Sequence, residues 1–159
     1  MRLIFFSAII LFLTGFTASA QGQKMLKAGR IQKKGVSITM RLTNLENSWE
    51  KHLAELGTSA DIRSWKIVTG KDEVNKEKYY LLVGTTSDLR VKIASRLVRK
   101  GNALYLVQNG NTLAEISTIT CSGCKNGCYP VISGGSPRCT SCETGDCTKS
   151  VTVSSTTGQ

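Results

Sequence analysis

The stretch Cys121–Cys147, CSGCKNGCYPVISGGSPRCTSCETGDC, decides how the remainder of the chain must be read. It holds all six cysteines, Cys121, Cys124, Cys128, Cys139, Cys142 and Cys147, in the pattern C-x2-C-x3-C-x10-C-x2-C-x4-C. Its only large apolar side chains are Tyr129, Val131 and Ile132. Burying each fully gives roughly 1.5–3 kcal/mol. Ordering the backbone costs on the order of 1–2 kcal/mol per residue, so burial alone cannot hold a segment this long. Cross-links can: a disulfide contributes about 2–4 kcal/mol by restricting the unfolded chain. The stretch therefore reads as a cysteine-stapled module, and its six thiols leave fifteen pairings open.

Zinc is the alternative. Cys121-x2-Cys124 and Cys139-x2-Cys142 are two knuckles fourteen residues apart, close to ribbon-type spacing. A four-thiolate site would leave Cys128 and Cys147 unused, and export favours bridges over metal thiolates. A thiol–disulfide redox role is a third reading. It needs a thiolate stabilised by a helix N-terminus or a cation, and Gly and Ser surround both knuckles. The spacing matches no ferredoxin pattern, so an iron–sulfur cluster is disfavoured.

The N-terminal end of the chain carries an export signature. Arg2 precedes an apolar run, Leu3 to Leu13, broken only by Ser7, and Ala18-Ser19-Ala20 supplies the small-x-small pattern of a cleavage site. Residues 1–20 thus read as a signal peptide with the mature chain starting at Gln21, secreted or periplasmic. The apolar run falls short of the roughly 20 residues a spanning helix needs, and no second one follows. The full chain carries 21 Lys and Arg against 11 Asp and Glu, a formal charge of +10, and loses only Arg2 with the leader.

Between leader and module, residues 21–120 read as an α+β body. Gln21 to Thr43 contains Lys24, Lys27, Arg30, Lys33, Lys34 and Arg41 with no acid, and its first part reads as a loose basic arm. From Val36, apolar and polar residues alternate as in a half-buried strand. Asn47-Ser48-Trp49-Glu50 fits a capping box, with Leu45, Trp49, Leu53 and Leu56 on one side of a short helix that Gly57 ends. His52, the only histidine, reads as a packing or surface residue. Ile62 to Thr69 is a strand. Tyr79-Tyr80-Leu81-Leu82-Val83 is apolar on both faces, the mark of a central strand.

Leu89 to Arg99 fits either a helix or a strand. The turn signal Lys100-Gly101-Asn102 favours a strand, with Leu89, Val91, Ile93 and Leu97 on one face and Arg90, Lys92 and Arg96 on the other. Ala103 to Val107 follows, then Asn109-Gly110 and a strand from Leu113 to Thr120. The expected architecture is an antiparallel meander of five or six strands with one helix. The cysteine-rich module occupies residues 121–148, and residues 149–159 form a last short strand and a polar tail.

No phosphate-binding loop, G-x-S-x-G, H-E-x-x-H or dinucleotide fingerprint occurs, and Asp72, Glu73, Glu77 and Glu115 form no catalytic pair. The reading is of an exported, non-catalytic binding or structural protein with no cofactor. The positive charge suits an anionic glycan, a lipid head group or an acidic protein. Nucleic acid fits less well, because no run interleaves aromatics with basic residues. The candidate anion-binding residues are Lys24, Lys27, Lys33, Lys34, Arg90, Lys92 and Arg96.

Overall fold

The computed structural model describes residues 24–58, 61–108, 116–125, 127–142 and 145–152. The leader, the Asn109-Gly110 turn, Glu115 and the tail from residue 153 lie outside them. The architecture is α+β: a large antiparallel sheet, one helix and a disulfide-bonded C-terminal module.

The strands are β1 (Lys24–Gln32), β2 (Gly35–Ile38), β3 (Ile62–Lys71), β4 (Lys78–Thr86), β5 (Lys92–Lys100), β6 (Ala103–Gln108), β7 (Thr118–Ser122), β8 (Pro130–Ser133), β9 (Ser136–Cys139) and β10 (Thr148–Thr152); helix α1 is Thr43–Glu55. The strands exceed the expected five or six because the basic arm and the module also form sheet. β4 lies between β3 and β5. Beyond β5 the sheet forks. Lys92–Ala94 pair with β7 and Leu97–Lys100 pair with β6, so one strand feeds two branches. The first continues to β10 and the second to β1 and β2.

β4 carries the core on both faces, as its sequence demands. Tyr80 and Leu82 join Ile93, Leu97, Leu104 and Leu106 in one cluster, which Leu45, Trp49 and Leu53 of α1 cover. Tyr79, Leu81 and Val83 face the other way, into a second cluster with Ala94, Ile119, Ile132 and the cysteines. The sheet curls around the first cluster. Gly29 of β1 lies so close to the Ile67 side chain of β3 that any Cβ there would collide with it.

Several expectations need correction. The loose arm is strand β1; a bulge between Lys27 and Gly29 breaks its alternation and puts Ala28 in the core. Strand β2 stops at Ile38, and α1 starts at Thr43 with no side-chain cap. Asn47 is therefore inside the helix. Glu50, expected to close a capping box, instead accepts the Ile62 N–H at 3.0 Å and ties α1 to β3. The C-terminal end is as read. The Gly57 and Thr58 N–H groups return to the carbonyls of Ala54 and Leu53 in a Schellman closure. The segment after Asp88 is a strand, but it starts at Lys92. Leu89 sits in the preceding turn, solvent-exposed and at φ 63°.

The cysteines pair in chain order: Cys121–Cys139, Cys124–Cys142 and Cys128–Cys147. Cys121, Cys124 and Cys128 thus face Cys139, Cys142 and Cys147 as a three-rung ladder. Cys121 is on β7, so the ladder hangs directly from the large sheet. Hairpin β8–β9 turns through Gly134 and Gly135, both at positive φ, the conformation a two-residue hairpin turn of the primed class requires. Three bridges suggest an oxidising, extracellular or periplasmic environment. Among the described residues no helix is long and apolar enough to cross a membrane.

Candidate anion-binding surface

Opposed residues on neighbouring strands share a face, so the pairing register fixes what the outer surface of β1, β6 and β5 displays. Leu26, Leu104, Leu106 and Leu97 point into the helix-side cluster. The alternate positions point out. Lys27 stands opposite Tyr105, which stands opposite Val98. On one side of that row Arg30, Ala103 and Lys100 line up; on the other are Met25, Val107 and, two residues before Val98, Arg96.

The result is a basic patch with an apolar and aromatic middle. Lys27, Arg30, Arg96 and Lys100 are exposed, and Tyr105 is half-buried among them. Val98 is 40% exposed, unusual for a valine on a large sheet. No acid occupies any of these positions. Two inter-strand steps separate the cations of β1 from those of β5, about 10 Å between backbones. That is comparable to the Debye length at physiological salt, so one extended anion can feel both rows.

Of the seven residues singled out from sequence, this face unites Lys27 and Arg96. Lys24 opposes Gln108 at the far end of β1, on the helix side. Lys33 and Lys34 are exposed in the β1–β2 turn, and Arg90 in the β4–β5 turn, where its N–H donates to Asp88. Lys92 is a different matter. Its register points it outward, but the cysteine module covers it and only 2% of it is exposed. Its Nζ donates to the Leu89 carbonyl at 3.2 Å and lies 4.2 Å from the centre of the Tyr129 ring. Burial, and then the like charge of Lys66, hold its pKa below the ordinary lysine value. Lys92 is a post under the module, not a surface cation. Arg30, Lys100 and Tyr105 were missed because only the register shows that they share a face.

The module is also locked by a residue that sequence reading left in a charged loop. Asp72, buried in the β3–β4 loop, accepts four backbone N–H groups. Oδ2 takes Gly135 at 2.7 Å, and Oδ1 takes Gly134 and Val74 at 2.9 Å and Asn75 at 3.3 Å. Donation from Gly135, helped by the other three and against the cost of burial, lowers its pKa to about 2. The carboxylate is thus a structural anchor for the tip of β8–β9.

His52 meets Thr152 of β10, its Nε2 3.1 Å from the hydroxyl. The contact joins α1 to β10. All four thiols of the zinc alternative are used in pairs across the two knuckles, Cys121 with Cys139 and Cys124 with Cys142. The chain matches no protein-family model, no curated protein and no solved structure.

Proposed function

We propose that this is an exported, non-catalytic binding protein whose open β1–β6–β5 face holds an extended anionic partner, with the disulfide-stapled module as the rigid support of the same sheet. The observation that carries this reading is the set of four exposed cations, Lys27, Arg30, Arg96 and Lys100, around Tyr105 and Val98 with no acid among them. An extended ribbon of three strands suits a polymer better than a small molecule. Its cations meet repeated sulfate, phosphate or carboxylate groups, and the Tyr105 ring offers a surface for a sugar or acyl portion. An anionic glycan of the extracellular space or envelope has both features.

Binding to heparin as a representative polyanion, measured across a salt series, tests this. We expect affinity to fall steeply between 50 and 500 mM NaCl, since such contacts are screened. K27E/R96E should elute at clearly lower salt than the parent, and K33E/K34E, in the β1–β2 turn, should change elution less. Equal loss from both double variants would mean that net charge and not this face is responsible.

A further inference from the structure

The outer face of the sheet has a second feature, at the opposite end from the basic patch. Ser64 of β3, Thr85 of β4 and Lys92 of β5 stand opposite one another in a cross-strand row, with Lys66 beside it on β3. The cysteine module does not close over this row completely. Tyr129 from the module and Leu89 from the β4–β5 turn rise on either side, and Trp65 completes the lining of a groove of about 380 Å³. That volume lies in the range of small-molecule sites.

Two observations indicate what would fit. Among the described residues the lining includes two lysines and no carboxylate. Lys66 and Lys92 lie 5.0 and 4.2 Å from the centre of the same Tyr129 ring, so both charges sit against one side chain of the module. The nearby acid, Asp88, is engaged by the Thr86 hydroxyl at 2.6 Å and the Arg90 N–H at 3.1 Å. Next, both lips are exposed and apolar: Tyr129 is 44% and Leu89 57% accessible. Leu89 also holds a left-handed conformation, φ 63°, that a leucine rarely adopts, and its N–H bond to the Thr86 carbonyl keeps it there. Strained backbone of this kind gathers at functional sites.

We propose that this groove binds a small organic anion with an apolar body, its charged head against Lys66 in the field of Lys92 and its body between Leu89 and Tyr129. The site is separate from the polymer-binding face and does not depend on it. An anion there meets the exposed Lys66 side chain directly, with the buried Lys92 behind it. The exposed leucine and tyrosine supply apolar area that a free phosphate or sulfate could not use.

The probe is 8-anilinonaphthalene-1-sulfonate, an aromatic body bearing one sulfonate, titrated into the oxidised mature protein. Its neutral counterpart N-phenyl-1-naphthylamine lacks the head group. We expect one saturable sulfonate site, with K66A weakening it at least tenfold and the neutral probe binding at least tenfold more weakly than the anion. L89G, which suits the backbone conformation, should keep the fold and weaken binding several-fold. K27E/R96E should leave it unchanged. Equal affinity for the two probes, binding indifferent to K66A, or loss of the site in K27E/R96E would each overturn the proposal. A failure of heparin binding would leave this result untouched, so the two readings fail separately.

Discussion

Removal of one rung of the disulfide ladder, by the double substitution C128A/C147A, has a cost that the topology lets us work out. An isolated loop spanning 19 residues, as this bridge does, would be worth about 3.2 kcal/mol in chain entropy. The neighbouring Cys124–Cys142 bridge reduces that figure, because it already holds the two segments together. With it intact, Cys128–Cys147 closes only the four steps from 124 to 128 and the five from 142 to 147. A loop of about nine residues gives roughly 2.6 kcal/mol. The same reasoning for Cys121–Cys139, three steps on each side, gives roughly 2.2 kcal/mol. Each single-bridge variant should therefore lose about 2–3 kcal/mol, plus a smaller amount for the lost burial of Cys121 or Cys128. Removing all three should cost more than any one. Urea unfolding of each double-alanine variant would measure this, with intact mass confirming that two bridges remain. A loss under about 1 kcal/mol in C128A/C147A, with both other bridges present and m unchanged, would refute the claim that the ladder is what orders this module.

Two further outcomes follow from the core and the anchor. L81A and L82A, on opposite faces of β4 and both fully buried, should each destabilise by about 2–5 kcal/mol in urea unfolding; a cheap L81A would mean the module does not cover its face of the sheet. Asp72, with its pKa lowered from 3.8 to about 2, contributes stability that is complete above about pH 4 and lost as pH falls through 2. The melting temperature of D72N should thus be lower than the parent's at pH 7, and the gap should narrow between pH 4 and pH 2. A gap independent of pH would show that the carboxylate's charge plays no part.

Local signals in the sequence were readable wherever the structure uses them locally. Tyr79 to Val83 is apolar at every position because both faces of β4 are covered, and the Leu45, Trp49, Leu53 stripe is the buried side of α1. The Lys100-Gly101-Asn102 turn joins β5 to β6 as its residues suggest. What escaped depends on partners far along the chain. The bulge after Lys27 disturbs the period of two that would have announced β1. Glu50 has a cap-like position yet bonds to Ile62, twelve residues on. Lys92 alternates like a surface residue, and only the folded module buries it. Asp72 finds Gly134 and Gly135 across more than sixty residues of sequence. The candidate face was half-legible for the same reason: its cations are visible in the sequence, but which of them are neighbours is set by strand register.

The grip of Asp72 on the β8–β9 tip bears on how the correct sulfurs meet during oxidation. Six thiols can couple in fifteen ways, and the ladder uses one. The hairpin tip, seated against the β3–β4 loop, places Cys139 at the end of β9 against Cys121. A carboxylate that takes no part in thiol chemistry would then act as a template for it. Its loss in D72N would then raise the share of scrambled isomers during refolding, in addition to lowering the melting temperature of the finished protein.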